Sequence, residues 1–273
     1  NYLGTEDFFS LISNTGGGYT FCKDARYRRI TRYRYNNVPI DDGGKYFYIN
    51  DGENIWSPGW KPCKTELDKY ICRHGLNYTV ITGAKNGLEV EILYMVPLHT
   101  WAEVQKVTLK NTTNQIKRFK VFSFVEWCLW NAQSDMENFQ RNLSLGEVEV
   151  ENSILFHKTE YRERRNHYSY YSVNVPINGF ETDRESFLGM YNGFDQPQAV
   201  TQGRVCNSIA HGWSPIASHY IEIELGPGEL KDLIFVLGYV ENGESEKWDK
   251  EQKLNKKCAY EVIDRFNTVD SVG

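Results

Sequence analysis

Short segments of β-strand character recur along the whole chain, and no regular series of helices separates them. Strand-type runs occur at Tyr46–Asn50, Tyr78–Thr82, Leu88–Val96, Glu103–Asn111, Arg118–Glu126, Glu147–Glu151, Ile154–Lys158, Tyr168–Val175, Phe187–Tyr191, His219–Leu225 and Leu230–Tyr239. A doubly wound α/β fold needs helices between its strands, so this pattern excludes that fold. It predicts a mainly β protein, a large antiparallel β-sandwich with roughly ten or more strands.

Two pairs of neighbouring segments are predicted to form β-hairpins. Glu103–Asn111 and Arg118–Glu126 follow one another closely, with the polar stretch TTNQIK at the junction. His219–Leu225 and Leu230–Tyr239 are separated by GPGE, in which Pro227 and Gly228 supply a turn.

Only the tail changes character. The segment Glu246–Phe266 is rich in Lys and Glu. Its apolar residues can share one helical face, and they are Leu254, Ala259, Val262, Ile263 and Phe266. The sequence therefore predicts two parts, a sandwich over residues 1–243 and the start of a helical linker over residues 244–273.

Length, charge and hydropathy restrict the partners of the chain. Its 273 residues are enough for one large sandwich, and a net charge of −5 argues against nucleic acid as a partner. No apolar run approaches the roughly 18 residues that a membrane span needs. The first residues, NYLGTEDFF, lack the basic and apolar regions of a signal peptide. We therefore expect no membrane partner.

Cysteine and histidine spacing predicts neither disulfides nor a metal site. The cysteines form no CxxC pair and are scattered at Cys22, Cys63, Cys72, Cys128, Cys206 and Cys258. We interpret them as free thiols in a reducing compartment. The histidines are dispersed without an HExxH motif, so no metal or other cofactor is predicted. N-glycosylation sequons at Asn77, Asn111 and Asn142 mean little without a secretion signal.

One loop is unusually rich in amides. The stretch NAQSDMENFQRNLS, residues 131–144, lies between two strand-type segments. Amides both donate and accept hydrogen bonds, which suits sugar hydroxyls. The side chains that can line a saccharide subsite are Asn131, Gln133, Asn138, Gln140 and Arg141, with Trp127 or Trp130 as a ring platform. The alternative is an ordinary polar loop whose amides cap turns.

Two further segments are rich in arginine. TEYRERRNHY carries Arg162, Arg164 and Arg165, which form either a charged strand edge or a site for sugar hydroxyls or phosphate. In Lys23–Asn37 arginines and tyrosines alternate, and nucleic-acid stacking is the weaker interpretation of that pattern.

Acids in or near polar loops are candidates for paired-carboxylate chemistry on a glycosidic bond. They are Glu126, Asp135, Glu137, Glu160, Glu163, Asp183 and Glu185. Spacing along the chain does not show their separation in space, and solvation or salt bridging is the alternative.

Long motifs distributed over essentially the whole chain resemble the cellobiose phosphorylase family of inverting disaccharide phosphorylases. They are NYLGTEDFFSLISNTGGGY, DARYRRITRYRYNNVPID, the run from FSFVEWCLWNAQ to NFQRNLSLGEVEVE, HKTEYRERRNHY, HGWSPIASH and LGYVEN. The match is to the amino-terminal portion of the family.

The resemblance implies a cytoplasmic enzyme that cleaves a β-linked disaccharide with inorganic phosphate as co-substrate. Cellobiose would give α-glucose 1-phosphate and glucose with inversion. The family joins an amino-terminal supersandwich of galactose-mutarotase-like fold to a helical barrel that carries the general-acid Asp and the phosphate site. No catalytic residue and no cofactor are therefore expected on this chain, which would be inactive alone.

The resemblance also implies a homodimer in which the sandwich of one subunit caps the active site of the other. Asn131, Asn138, Gln140 and Arg141 match positions that face the acceptor sugar. The arginines of TEYRERRNHY, Arg162, Arg164 and Arg165, are candidates for interface or sugar contacts. We expect the family's opening strand segment and the barrel to be missing from the chain.

Two other hypotheses remain open at the level of the sequence. One is a stand-alone carbohydrate-binding sandwich, and the other is a complete sandwich enzyme such as a mutarotase. A mutarotase would need a histidine and a carboxylate facing one sugar pocket.

Overall fold

The computed structural model of the chain describes residues 1–33, 38, 41–137, 146–159, 166–210, 212 and 214–272, and the side chains at 129, 130, 137 and 159 lie outside this description. Its strands are β1 (Tyr2–Gly4), β2 (Phe8–Leu11), β3 (Thr20–Cys22), β4 (Arg29–Thr31), β5 (Lys45–Asn50), β6 (Ile55–Trp56), β7 (Lys69–His74), β8 (Tyr78–Lys85), β9 (Leu88–Met95), β10 (Ala102–Asn111), β11 (Lys117–Trp130), β12 (Gly146–Glu151), β13 (Ile154–Thr159), β14 (His167–Val173), β15 (Gly179–Asp183), β16 (Pro215–Leu225) and β17 (Leu230–Glu241). Its helices are α1 (Ala132–Glu137), α2 (Arg184–Leu188), α3 (Gln198–Gln202) and α4 (Lys257–Arg265), followed by a short 3-10 helix at Val269–Ser271.

These strands form two antiparallel sheets that face each other. One sheet has the order β1-β2-β3-β4-β11-β16-β15, with β5 also paired to β11 and β6 paired to β5. The other sheet has the order β12-β13-β14-β17-β10-β9-β8-β7. Apolar side chains from both sheets meet in a buried core that includes Trp56, Ile81, Val107, Val121 and Phe235. The predicted mainly β sandwich is confirmed, and every strand-type run except Phe187–Tyr191 lies on a strand.

The strand β11 is the long central element of its sheet. Along one side it pairs with β16, from Lys117 opposite Leu225 to Glu126 opposite Ile216. Along the other side it pairs first with β5 and then, from Trp127 onward, with β4. The change of partner falls at Glu126, whose N–H donates to Gly44 and whose carbonyl accepts from the N–H of Arg32, both at 2.8 Å.

Both predicted hairpins are wrong, because each pair of strands is divided between the two sheets. β10 pairs with β9 and β17, whereas β11 pairs with β16, β4 and β5. The two connections are therefore arches that cross the core side by side. In an arch, each of the two joined strands buries more apolar surface against the facing sheet than it would in a flat two-stranded hairpin. This burial favours the arch.

Asn111 holds the two arches together. Its amide nitrogen donates to the carbonyls of Gln115, Leu225 and Gly226 at 2.7, 3.2 and 2.9 Å. Its amide oxygen accepts from the N–H of Thr113 at 3.0 Å. The side chain is completely buried, so this sequon asparagine is inaccessible in the folded chain.

The segment Phe187–Tyr191, predicted as a strand, belongs to α2 and the turn after it. Asp183 caps this helix, because its carboxylate accepts from the N–H and the hydroxyl of Ser186, both at 2.8 Å. Gly189 ends the helix with a φ of +88°. Phe187 and Leu188 pack against the outer face of the nine-stranded sheet, so apolar character here marks a helix rather than a strand.

The tail is helical over a shorter range than predicted. α4 begins at Lys257, and the preceding residues form turns with a β-bridge between Trp248 and Leu254. The predicted apolar residues Leu254, Ala259, Val262, Ile263 and Phe266 pack together on the outer face of the eight-stranded sheet, but Leu254 does so from the β-bridge before α4 and not from the helix. Among the described residues no helix has the length and apolar character that a membrane span requires. The boundary predicted at residue 243 stays a prediction.

A buried ion pair joins the two sheets. Lys45 on β5 lies within the core against Glu103 on β10. The Lys45 ammonium also donates to Ser10 Oγ at 2.7 Å and Thr20 Oγ1 at 3.2 Å, and Gln105 donates to Glu103 Oε1 at 2.7 Å. Burial lowers the pKa of Lys45. These partners compensate for the loss of water around both charges.

His219 is a neutral core residue. Its Nδ1 lies 2.8 Å from Ser123 Oγ, and its Nε2 lies 3.1 Å from the carbonyl of Ser153. A neutral ring whose Nε2–H donates to Ser153 and whose Nδ1 accepts from Ser123 satisfies both contacts. Burial lowers the pKa of His219 from 6.5 to about 3. All six cysteines are free, as predicted.

Replacing Asn111 with Ala should lower the free energy of unfolding by about 1–3 kcal/mol, because buried carbonyls lose their donor. Asn77→Ala is the matched control, since Asn77 is an exposed sequon asparagine in the β7–β8 turn, and should change stability by less than about 0.5 kcal/mol. Urea unfolding of both variants measures the difference. Equal stability of the two variants would show that Asn111 does not hold the arches.

Replacing His219 with Gln should reduce the acid sensitivity of the fold. The unfolded ring takes up a proton below pH 6.5 and the folded ring does so only near pH 3, so stability falls as pH drops through that window. The expected loss for this group is about 2 kcal/mol between pH 7 and pH 5. Unfolding curves at the two pH values measure it. The exposed His99→Gln is the control, and an unchanged pH slope in His219→Gln would contradict the assignment.

Candidate functional site

Several predicted site segments leave the sandwich at the same end. β11 ends at Trp130, and β16 begins at Pro215 beside the end of β15. In the facing sheet Gly146 begins β12 opposite Thr159. A Cβ on Gly146 would lie 3.4 Å from Pro215, so the ends of the two sheets meet here. The amide-rich loop and the arginine-rich segment therefore both start from this end.

An ionic network occupies that end. Its members are the buried residues Arg32, Glu126 and Asp135 and the partly exposed Arg184. The guanidinium of Arg32 donates to both oxygens of Asp135, at 2.7 and 2.6 Å, and to Glu126 Oε1 at 2.6 Å. Burial by itself lowers the pKa of Arg32, but the two carboxylates outweigh it and raise the pKa above its ordinary value. The planar fork of arginine suits this bidentate contact, whereas an ammonium would not.

The network fixes the short helix α1, which begins the amide-rich loop. Of its residues, Ala132 and Asp135 are buried while Met136 is exposed, so little apolar surface holds this helix. A six-residue helix is not stable by itself and depends on such tertiary contacts. The N–H of Ala132 donates to the carbonyl of Arg26 at 2.7 Å, which adds a second point of attachment.

Arg184 links the network to an open cleft. Its Nε lies 2.9 Å from Glu126 Oε1, and its guanidinium lies 5.1 Å from the ring of Phe194. The cleft has a volume of about 510 Å³. Polar and apolar side chains share its lining, including Asp183, Arg184, Glu185, Met190, Asn192 and Ser214. Such a mixed lining suits a polar organic ligand.

Among the predicted site residues, Gln133 and Asn131 lie in the described part of the chain. The side-chain oxygen of Gln133 accepts from the guanidinium of Arg26. Asn131 directly precedes α1. Its side-chain oxygen accepts from the N–H of Ser134 at 2.9 Å, so it caps the first turn of α1. The turn-capping alternative is therefore correct for this oxygen, and the amide NH2 is left for other partners. The remaining predicted residues lie outside the described residues, and they are Asn138, Gln140, Arg141, Arg162, Arg164 and Arg165.

Trp127 is not a sugar platform, contrary to the prediction. It is completely buried, and its ring stacks on His157 with centroids 5.4 Å apart and planes 7° apart. Burial lowers the pKa of His157 to about 3, so a neutral ring faces the indole. Trp127 points into the core because it follows the period-two alternation of β11. The side chain of Trp130 lies outside the described residues.

The acids proposed for glycosidic chemistry serve the fold wherever their partners are described. Glu126 and Asp135 are held by arginines, and Asp183 is a helix cap. Glu185 lines the cleft. Glu160, Glu163 and the side chain of Glu137 lie outside the described residues. The salt-bridge alternative is thus confirmed for Glu126 and Asp135.

A second cluster places a histidine near a carboxylate, as a mutarotase would require. His167 Nδ1 lies 3.8 Å from Glu241 Oε1, and the Tyr239 hydroxyl lies between them, 2.7 Å from the ring nitrogen and 3.0 Å from the carboxylate. However, Lys23 and Arg28 occupy the carboxylate at 3.1 and 3.2 Å. The cluster is therefore an ion-paired contact between β3–β4 and β17.

In the described part of the Lys23–Asn37 segment, which ends at residue 33, two of the arginines lie inside the fold and not on a basic surface. Arg29 and Arg32 are buried, and Arg29 lies 3.7 Å from the ring of Tyr19. Across the described ranges, His, Cys, Asp and Glu nowhere form a group of three or more able to hold a metal ion.

Sequence reasoning missed Arg32 and Arg184 as members of this site. Arg32 stands in a segment whose repeated arginines suggested surface recognition, and Arg184 follows a helix cap. The sequence did hold one signal for these two arginines, the excess of acidic residues near the amide-rich loop. A carboxylate that becomes buried needs a cationic partner.

The chain belongs to the family described as glycosyl hydrolase 94, supersandwich domain, whose family model matches residues 1–269. A similar curated protein is the N,N'-diacetylchitobiose phosphorylase of Vibrio proteolyticus, 32% identical over 269 residues, which cover 96% of this chain and 34% of that protein. The solabiose phosphorylase of Paenibacillus borealis is 30% identical over 84% of this chain and 30% of its own length. The chain spans about a third of the length of these relatives.

The fold is shared with galactose mutarotase-like proteins. A galactose mutarotase-like protein from Lactobacillus casei covers 88% of this chain and 99% of its own, with a TM-score of 0.50 and 7% identity. At that identity the likeness concerns the fold alone. The predicted galactose-mutarotase-like supersandwich and the resemblance to disaccharide phosphorylases are both confirmed.

Replacing Asp135 with Ala should cost about 3–5 kcal/mol of unfolding free energy, because it leaves the buried Arg32 charge incompletely paired. The control is Arg118→Ala, which removes an exposed ion pair with Glu224 and should cost less than about 1 kcal/mol. Urea unfolding followed by tryptophan fluorescence compares them. A loss of less than about 1 kcal/mol for Asp135→Ala would show that the network does not stabilise this end.

Proposed function

We propose that the chain is the amino-terminal domain of an inverting disaccharide phosphorylase and that it supplies acceptor-site residues. The reaction is phosphorolysis of a β-linked disaccharide to α-glucose 1-phosphate and a free sugar. Phosphate is a co-substrate, and no cofactor takes part. The general acid and the phosphate site belong to a helical barrel elsewhere in the protein.

The observation that carries the proposal is the family match over residues 1–269 together with the anchored start of the amide-rich loop. Arg32 holds α1 rigidly, so the amide of Asn131 stands at a defined position at the end of the sandwich. A rigid support of this kind is what a sugar-binding loop needs, because each hydrogen bond contributes only about 1 kcal/mol.

Cellobiose is the substrate that we propose, with free glucose as the acceptor in synthesis. The NFQRN and YRERRNHY motifs resemble the cellobiose branch of the family. N,N'-diacetylchitobiose is the alternative to test first, because that sugar stands in the name of the Vibrio relative.

We further propose that the protein is a cytoplasmic homodimer in which the loop acts in the site of the partner subunit. Asn131, Asn138, Gln140 and Arg141 would contact the acceptor sugar, and Arg162, Arg164 and Arg165 would contact the interface or the sugar. Free cysteines agree with a reducing compartment.

The 273-residue chain by itself should release no glucose 1-phosphate from cellobiose and phosphate, because it lacks the general acid of the proposed mechanism. An enzyme-coupled assay of the purified chain measures the product, with the full-length protein as the positive control. Phosphorolysis by the chain alone would contradict its assignment as a non-catalytic domain.

In the full-length protein, Arg141→Ala should weaken acceptor binding. Losing a charged donor to a sugar hydroxyl costs about 1.5–3 kcal/mol, which is roughly a ten- to hundredfold rise in the KM for glucose. The KM for α-glucose 1-phosphate should change little, since the phosphate group sits on the barrel. Initial rates of synthesis at varied concentrations of each sugar measure both constants, and Arg118→Ala on the outer sheet surface is the control.

A site shared between subunits also predicts complementation. A heterodimer of an Arg141→Ala subunit and a subunit lacking the barrel acid has one site with both groups intact, so it should regain activity. Heterodimers without activity, or a loss confined to phosphate binding, would refute the acceptor role of the loop.

A further inference from the structure

Two contacts fix the conformation of Asn131, and both depend on α1. The side-chain oxygen of Asn131 accepts from the N–H of Ser134, and its carbonyl accepts from the N–H of Asp135 at 2.9 Å. The helix cap uses the amide oxygen, so the NH2 is the end that a sugar hydroxyl would meet. Any displacement of α1 therefore displaces this donor.

Arg32 determines where α1 sits. It holds Asp135 through two parallel hydrogen bonds, and its backbone N–H and its guanidinium are both fixed on Glu126 of β11. The chain of contacts runs from the central strand through Arg32 to Asp135 and then to Asn131. Arg32 is buried throughout, so it reaches the sugar only through these residues.

We propose that Arg32 is a positioning residue for binding of the acceptor sugar, an inference that rests on the proposed function. The two parallel hydrogen bonds from Arg32 to Asp135 set the orientation of α1. The orientation of α1 in turn sets the position of the Asn131 amide NH2. Arg184 reinforces the arrangement, because its Nε lies 2.9 Å from the same Glu126 carboxylate oxygen that Arg32 contacts. The net charge of the four side chains is balanced, so their effect on the sugar is geometric.

The test uses the full-length protein and measures synthesis from α-glucose 1-phosphate and glucose. Arg32→Lys keeps the charge but loses the fork, so the KM for glucose should rise about tenfold while kcat and the KM for glucose 1-phosphate stay within about twofold. Asp135→Asn is the milder second variant, since it keeps one acceptor oxygen for Arg32, and should raise the KM for glucose about threefold. Arg118→Lys is the control, because Arg118 belongs to an exposed ion pair, and it should change neither kcat nor the KM of either sugar.

A double variant separates positioning from stability. Arg32→Leu with Asp135→Leu replaces the buried pair by apolar side chains, which restores stability but removes the directional bonds. The melting temperature should recover toward the wild-type value while the KM for glucose stays high. Recovery of the KM together with stability would show that Arg32 is only structural and would overturn the inference.

The outcomes distinguish this inference from the proposed function. An active wild-type protein whose KM for glucose is unchanged in Arg32→Lys and Asp135→Asn refutes the positioning role alone. A wild-type protein that phosphorolyses neither cellobiose nor N,N'-diacetylchitobiose refutes the proposed function and this inference with it.

Discussion

The long central strand β11 is the constraint on which the rest of the structure depends. It pairs with β16 along one side and with β5 and β4 in turn along the other, so it sets the register of most of its sheet. The change of partner at Glu126 exposes a backbone N–H and a carbonyl, and Gly44 and Arg32 satisfy them. That same junction brings the Arg32 side chain onto Glu126 and Asp135. The architecture of the sheet and the ionic network at its end are thus one arrangement.

Two buried ion pairs serve different purposes in this sandwich. Lys45 and Glu103 lie between the sheets and are satisfied by neighbouring hydroxyls and an amide, so they specify how β5 faces β10. Arg32 and its carboxylates lie at the end of the sandwich and fix the helix α1, with which the amide-rich segment begins. A buried pair contributes little net stability but penalises every alternative arrangement that leaves a charge unpaired. Both pairs therefore favour one conformation over its competitors.

The alternation of apolar and polar residues was sufficient to predict the sandwich, ten of its described strands and the apolar residues of the tail, but it did not identify β1–β4, β6, β7 or β15. The same alternation did not predict the two arches. A turn such as GPGE can join neighbouring strands of one sheet as a hairpin or strands of the two facing sheets as an arch. Phe187 and Leu188 looked like strand residues, and only the cap at Asp183 identifies them as helical. Arg32 contacts Glu126 and Asp135 although roughly a hundred residues separate Arg32 from them in the chain. Such long-range pairing leaves no local signal in a single sequence. The resemblance of long motifs located the amide-rich loop, and the structure explains how its first residues are supported.

The most direct test of this account is a crystal structure of the full-length protein with the acceptor sugar and a phosphate mimic bound. We predict that the amide nitrogen of Asn131 lies within about 3.5 Å of an acceptor hydroxyl in the site of the neighbouring subunit. Arg32 should still hold Asp135 through both oxygens. An acceptor sugar enclosed entirely by the barrel, with Asn131 out of hydrogen-bonding range in every subunit, would contradict the account.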